Sequence, residues 1–319
     1  MKAVLATLRA PPPAGPCPSG PVESDQPADA AGGSRTFTHR AWCTVYNLTG
    51  RHPAIWGSQF LWGADEWAQP YRQAMVERAT ALWNSADGRV LTQINFHLCP
   101  PTAEFSGRTC SWDDIEGSGH NPPSLGDAML TAGSAEHTIW LAQLDVMAGF
   151  LKQLADRKVP VLWRPFHEAN GAWFWWGQQP RFVELWAQMW RRFTETHTLH
   201  NLVWTYGPSG QFPVGPMFPA GMADVLGQDI YAKTDDARGF TTAQYDDLRA
   251  TAAGRPVALT EVGLGPGSSV LASQNHSYFL MWGGFEKNGN TPAGLRAVYD
   301  NPRVVTQQRG LWLARDAGM

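Results

Sequence analysis

Pro-Val-Leu-Trp-Arg-Pro-Phe-His-Glu-Ala-Asn-Gly-Ala-Trp-Phe-Trp-Trp-Gly, residues 160–177, decides how this chain folds. The apolar run from Val159 breaks off in Arg164, His167 and Glu168, and four aromatics follow, Trp173 to Trp176. A strand of that composition is buried on both faces. A charged tip on it has no packing rationale, because an ionised carboxylate at a buried strand end is costly unless it is paired or functional. The run therefore reads as a strand that delivers Arg164, His167 and Glu168 into a cleft. Rings beside a carboxylate suit a pyranose, whose apolar face stacks while its hydroxyls seek hydrogen bonds.

Outward from that strand, β-type runs alternate with helical ones: Ala54–Phe60 then Glu66–Ala86, Val90–His97 then Glu136–Arg157, Val159–Phe166 then Pro180–Thr196. Strands over Leu202–Tyr206, Val225–Tyr231, Val257–Val262 and Tyr278–Trp282 continue the series, with a helix over Thr242–Ala253. Val4–Leu8 supplies a candidate first strand, which makes eight. In the helix at 136–157, Trp140, Leu144, Met147, Leu151 and Leu154 form a stripe at spacings of three and four, a core face. Strands alternating with helices form a parallel sheet, closed or doubly wound. The strand ends choose between the two. His97, Glu168, Asp229, Tyr231, Glu261 and Trp282 all fall at C-terminal ends, and only a barrel converges those ends on one face. The expected fold is an α/β (β/α)8 TIM barrel with a single catalytic domain over residues 36–319, after an irregular or flexible segment at 1–35 rich in Pro, Gly, Ala and Ser.

Composition narrows the function. A net charge of −3 without a Lys/Arg cluster gives no support to a nucleic-acid partner. No window approaches the ~18 uninterrupted apolar residues of a membrane span. No Gly-x-Gly-x-x-Gly follows the early strands and no Walker loop occurs, so nucleotide sites have no foothold. His167-Glu168 begins like a zincin motif, but position 171 is Gly where the second His is needed, so no metal and no cofactor is expected. Sixteen Trp against seven Tyr fits carbohydrate binding and also a large core. Cys99 and Cys110 bracket a Pro/Gly/Ser loop, where a disulfide would indicate an oxidising compartment; free thiols are the alternative. Met1–Ala10 does not make a signal peptide, because Arg9 and Pro11–Pro13 interrupt its apolar piece. Asn47-Leu48-Thr49 and Asn275-His276-Ser277 are glycosylation sequons.

Arg164-Pro165-Phe166-His167-Glu168-Ala169-Asn170-Gly171 with Trp173-Phe174-Trp175-Trp176-Gly177 resembles the acid/base signature of glycoside hydrolase family 26, chiefly endo-β-1,4-mannanases on the (β/α)8 barrel. Leu259-Thr260-Glu261-Val262-Gly263 resembles the family's nucleophile strand; residues 46–57 resemble the early segment leading into its second strand, and residues 227–231 its sixth. The resemblance runs from about residue 41 to 283. It implies that Glu168 is the general acid/base and Glu261 the nucleophile of a retaining reaction, in which two carboxyls roughly 5 Å apart act in turn. It further implies that Arg164 and Tyr231 hydrogen-bond the nucleophile and keep it ionised, and that His167 and His97 contact the sugar at the cleaved position. For His97 a satisfied core histidine is the alternative. Trp173 and Trp282 become stacking platforms, Trp112 a further candidate, and Asp229 binds a sugar hydroxyl or caps a loop.

Two positions depart from the family pattern. Ala169 stands where a methionine is common, and Gly283-Gly284 follow Trp282 where many relatives have a basic residue. The resemblance implies a secreted, monomeric enzyme acting on mannan, glucomannan or galactomannan. Mixed-linkage β-glucan or β-1,3-xylan is the alternative substrate, and an inactive carbohydrate-binding relative the remaining reading.

Overall fold

Strands that are apolar on both faces need helices outside them and one another within, and this chain meets that need as a ring. The computed structural model describes residues 37–60, 68–88, 90–106, 110, 112–115, 122–282 and 289–307. Seven parallel strands follow one another in chain order: β1 (Ile55–Phe60), β2 (Leu91–Phe96), β3 (Val161–Pro165), β4 (Leu202–Tyr206), β5 (Val225–Ile230), β6 (Val257–Val262) and β7 (Phe279–Met281). They form a nearly closed TIM-type barrel. The candidate strand at Val4–Leu8 lies outside the described residues. Helices α1 (Phe37–Thr49), α2 (Ala68–Ser85), α3 (Trp112–Ile115), α4 (Ser124–Leu130), α5 (Ala135–Asp156), α6 (Phe182–Arg191), α7 (Thr242–Ala252), α8 (Ser268–Ser273) and α9 (Pro292–Asp300) accompany the strands. No helix of the described residues is long and apolar enough to cross a membrane.

The expected helix at 136–157 is α5. Ser134 caps it by accepting from the His137 N–H at 3.0 Å, and the stripe Trp140, Leu144, Met147, Leu151 and Leu154 is buried. The helix expected over Pro180–Thr196 is corrected. Regular α-helix covers only Phe182–Arg191 and passes into a π-turn over Arg192–Thr196. That wider turn sets Arg192 and His197 around Asp145 of α5, with both guanidinium contacts at 2.6 Å and the imidazole contact at 2.7 Å. Helices outside the expectations are α1, α3, α4, α8 and α9. In α9, Leu295, Val298 and Tyr299 are buried at helical spacing and pack against Val45 of α1.

The barrel interior is graded. At its floor Ile55, Leu91, Leu162, Val203, Val225, Ala258 and Tyr278, drawn from or beside all seven strands, make one apolar layer. Above it the inward residues turn polar. Tyr278 donates to Gln93 Oε1 at 2.9 Å, Gln93 donates to the Thr260 carbonyl at 3.2 Å, and Thr260 donates to Asp229 Oδ1 at 2.7 Å. Strand alternation places Ala258 and Thr260 inward and Leu259 outward, which by parity would turn Glu261 away from the axis. A register irregularity prevents this: Gln228 pairs with Leu259 but Asp229 pairs with Glu261, so Thr260 is an extra residue and Glu261 is re-aimed toward the barrel mouth.

Cys99 and Cys110 form a disulfide, Cα atoms 5.7 Å apart, in the loop that leaves β2. That loop also receives the Trp175 indole N–H at the Leu98 carbonyl, 2.7 Å, so it is fastened to the segment following β3. Closing so short a loop restricts the unfolded chain by about 2–3 kcal/mol. Replacing both cysteines by serine is expected to lower the free energy of unfolding by that amount, with a steeper denaturant slope because the unfolded chain without the bridge exposes more surface; an unaltered free energy of unfolding would show that the bridge contributes nothing to stability.

Candidate active site

Arg164 is the hub of the barrel mouth. Its side chain is wholly buried, and Gly207 on the neighbouring strand end makes room for it, since a Cβ there would stand 2.5 Å from Arg164 Nε. One guanidinium nitrogen donates to Glu261 Oε2 at 2.9 Å, and the other pairs with Asp229. Tyr231 completes the grip: its hydroxyl donates to Glu261 Oε1 at 2.5 Å although the residue is 45% exposed, so the ring forms cleft wall while its oxygen is held. Both oxygens of Glu261 therefore accept strong donors, and β3, β5 and β6 meet at this one carboxylate.

The electrostatics follow from burial. Desolvation alone would lower the Arg164 pKa, but Asp229, Glu261 and Glu168 outweigh it and hold the guanidinium charged. A single cation thus faces two carboxylates in contact with it. The shortage falls on Asp229, which burial, and then the charges of Glu261 and Glu168, push well above the usual carboxylate range against the pull of Arg164 and Thr260. Burial and the adjacent Glu261 raise the Tyr231 phenol, which stays a donor. Because Arg164, Asp229 and Tyr231 all respond to both glutamates, Glu168 and Glu261 share one electrostatic field.

Glu168 is positioned by its backbone. The residues after β3 alternate into the left-handed region, with φ +52° at Phe166 and +54° at Glu168, an uncommon and costly conformation for side chains with a Cβ. Hydrogen bonds hold it there. The Glu168 N–H donates to the Gly207 carbonyl at 2.8 Å, the Trp176 indole to the His167 carbonyl at 2.8 Å, and the Asn170 side chain exchanges two bonds with the Ser209 backbone at 2.8 and 2.9 Å. The Glu168 side chain meets Trp173, whose indole N–H donates to Oε2 at 2.7 Å. Gly171 permits this, because a Cβ there would lie 2.4 Å from the Trp173 ring.

Other expected residues are placed less simply. His97 and His167 are brought together edge to face with ring centroids 4.5 Å apart, beside the stacked pair Phe174 and Trp176. Both histidines are nearly inaccessible, packed against Phe174 and Trp176, and offer little surface to a sugar. Asp229 is fully enclosed between Arg164 and Thr260; its carboxylate supports the guanidinium from below instead of lining the cleft. Trp282 is half-buried at the end of β7, its backbone N–H donating to the Val262 carbonyl at 3.0 Å. Trp112 opens α3, and its side chain lies outside the described residues. The Trp173 bond to Glu168 and the Asn170 brace leave no mark in the sequence, since nothing in residue spacing encodes where an indole or amide points.

The comparisons with known proteins agree on one family. The sequence profile of glycosyl hydrolase family 26 matches residues 29–309. A mannan endo-1,4-beta-mannosidase from Thermothelomyces thermophilus is 34% identical over 279 residues, covering 82% of this chain and 54% of that protein. Mannan endo-1,4-beta-mannosidase B from Piromyces sp is 27% identical across 81% of this chain and 44% of its own length. The chain spans about half the length of these curated relatives. Among solved structures, GH26A from Muricauda sp. MAR_2010_75 superposes with a TM-score of 0.76 at 28% identity, over 86% of this chain and 89% of that one.

Burial of the histidines has a measurable consequence. Burial and then Arg164 push His97 down to about 3, burial first and then His97 and Arg164 push His167 well below its usual value, and burial pushes His276 to about 4. An unfolded histidine binds its proton near pH 6.5, so below that pH the unfolded chain holds more protons than the folded one and stability falls as acid is added. Denaturant midpoints should decline between pH 7 and 5. His97→Gln should flatten that decline by up to about 1.4 kcal/mol per pH unit, the limit for one proton; an unchanged slope in the variant would show that His97 titrates normally.

Proposed function

Because the chain belongs to glycosyl hydrolase family 26, we propose that it is a retaining endo-β-1,4-mannanase acting on mannan, glucomannan or galactomannan. The observation that carries this reading is the unequal treatment of two glutamates in one field. Glu261 has a cation on one oxygen and a phenol on the other. Glu168 accepts from a neutral donor, the Trp173 indole. Glycoside hydrolysis with retention needs that asymmetry: one carboxylate to attack the anomeric carbon, and one carboxyl able to give a proton and later take one.

In the first step Glu168 protonates the glycosidic oxygen as Glu261 Oε2 or Oε1 attacks the anomeric carbon; the bond from that carbon to the glycosidic oxygen breaks, the distal sugar leaves as an alcohol with the proton from Glu168, and a covalent glycosyl ester forms on Glu261. Arg164 and Tyr231 then face an ester instead of a carboxylate, so their bonds weaken and the intermediate is left poised for hydrolysis. Glu168, now ionised and held by the Trp173 N–H, draws a proton from water, which attacks the same carbon and releases the sugar with its configuration retained. The names of the curated relatives support mannan as the polymer. A substrate too large to enter a cell and the Cys99–Cys110 bridge support an extracellular setting.

Glu168→Ala tests the assignment. Attack on mannan should fall by at least ~100-fold, the usual cost of losing a general acid, while glycosylation from an aryl β-mannoside with a good leaving group suffers much less. Equal losses on both substrates would remove Glu168 from that role. Running the wild-type chain in parallel on konjac glucomannan, barley glucan and β-1,3-xylan checks the substrate; a preference for either of the latter two would overturn the mannan reading.

Trp173 separates two effects that a single alanine variant would merge. Trp173→Phe keeps a ring for sugar stacking but removes the donor to Glu168, so the alkaline limb of the kcat/KM profile should move upward while affinity for long oligosaccharides changes little. Trp173→Ala should also weaken long substrates by several-fold, in line with the ~0.5–1.5 kcal/mol of an aromatic contact. A pH profile identical in wild type and Trp173→Phe would show that the indole bond has no bearing on Glu168.

A further inference from the structure

Four large apolar side chains stand exposed among the described residues, Tyr46, Val183, Phe212 and Tyr231. Single apolar residues on a surface are ordinary and need no purpose. Tyr231 has one already, since its hydroxyl holds Glu261. Tyr46 lies on α1 and Val183 on α6, helices outside the strands. Phe212 differs from both. It follows β4, at the C-terminal ends of the strands, and its ring meets that of Trp173 with centroids 6.0 Å apart and planes inclined at 35°. Trp173 is the residue whose indole donates to Glu168, so an exposed ring adjoins the side chain that holds the acid/base carboxyl.

The turn that carries Phe212 is fastened by β5, by α7 and by the loop of Glu168. On the β5 side the Asp229 N–H donates to the Pro208 carbonyl, and the Gly210 N–H donates to the Asp229 carbonyl, both at 2.9 Å. From α7 the Gln244 amide donates to the Gly210 carbonyl at 2.9 Å, and Asp247 accepts from the Val214 N–H at 3.0 Å. From the acid/base loop, Asn170 exchanges its two bonds with Ser209, and its amide nitrogen also lies 3.5 Å from the carbonyl oxygens of Phe212 and Pro213. Ser209 and Val214 are buried at the two ends, and Gln211, Phe212 and Pro213 between them are exposed. These anchors keep the ring from folding down onto the barrel, although that leaves apolar area in water. They also hold it in place before any ligand arrives, so binding there forfeits little conformational freedom.

We propose that Phe212 is a second sugar platform on the leaving-group side of the cleft, holding the unit of the polysaccharide beyond the one that stacks on Trp173. This rests on the reading of Glu168 as the acid/base in cleavage of a β-1,4-linked mannan. Glu168 gives its proton to the departing oxygen. An aromatic surface that begins at Trp173 and continues onto Phe212 therefore runs beside the departing part of the chain, away from the sugar that becomes bonded to Glu261. Successive units of a β-1,4-linked chain are turned relative to one another, and two rings inclined at 35° suit two such units better than one flat face would. Each pyranose offers an apolar C–H face to a ring. The phenyl group has no donor or acceptor for the hydroxyl whose orientation separates mannose from glucose, so Phe212 adds grip on a long chain without selecting its sugars.

Kinetics on mannohexaose and on an aryl β-mannobioside, whose leaving group carries no sugar, test this. Phe212→Ala should raise KM and lower kcat/KM on mannohexaose by roughly 2- to 10-fold, the worth of one aromatic contact. The aryl β-mannobioside should lose far less, and Tm should hold. Phe212→Trp should keep the mannohexaose value. Phe212→Leu, which leaves apolar bulk against Trp173 without a flat face, should behave as Phe212→Ala does. Full mannohexaose activity in the leucine variant would show that the residue only props Trp173 and would overturn the proposal, as would equal losses of Phe212→Ala on both substrates. A wild-type chain inactive on both substrates would sink the mannanase reading and this assignment with it, whereas an active wild type whose Phe212→Ala variant loses nothing on mannohexaose would sink the platform alone.

Discussion

The guanidinium of Arg164 is the constraint on which the catalytic face depends. It enters from β3, is accommodated by a glycine after β4, and grips carboxylates on β5 and β6, so four consecutive strands must be in register for its fork to be satisfied. A buried pair broken by removing one partner typically costs 3–5 kcal/mol, because the remaining charge is stranded. Here the loss of Arg164 would strand two. A lysine supplies one point charge in place of a planar fork and has no geometry that reaches both acids at once.

Around that hub the site divides its labour between rigid strands and a fastened loop. Glu261 sits within a strand, and its direction is set by one extra residue in the ladder. Glu168 sits just past a strand, and its direction is set by two left-handed residues that side chains and carbonyls from β4 and the following segment hold in place. The tryptophans in residues 173–176 serve different ends. Trp175 and Trp176 are buried struts whose indoles tie carbonyls at Leu98 and His167, whereas Trp173 alone turns its N–H to a carboxylate.

Much of this was legible before any coordinates. Leu202–Tyr206 and Val257–Val262 read as strands at the bounds observed, because each is a short apolar run between turn signals, and the α5 stripe is buried as its spacing requires. Arg164 and Tyr231 do meet Glu261, a contact between residues distant in sequence that only the family resemblance had suggested. What stayed hidden was directional. The parity slip at Thr260 and the enclosure of Asp229 depend on how strands stagger, and residue identity carries no record of stagger; the burial of His97 matches the core reading that its sequence position left open. Helix α9 was legible in principle through Leu295, Val298 and Tyr299; in α1 the buried Trp42 and Val45 are too few to announce a period.

The left-handed pair at Phe166 and Glu168 bears on how this barrel responds to selection for heat resistance. Each costs of order 1 kcal/mol relative to a residue that accepts positive φ freely, such as glycine or asparagine. Both positions are thus reservoirs of stability that can be released by substitution, and at position 168 the release destroys the carboxyl. A population screened for thermal endurance alone would accept relief at position 168 as readily as at the left-handed positions elsewhere, such as Lys158 or Ala253, and so drift toward a tougher barrel without its carboxyl.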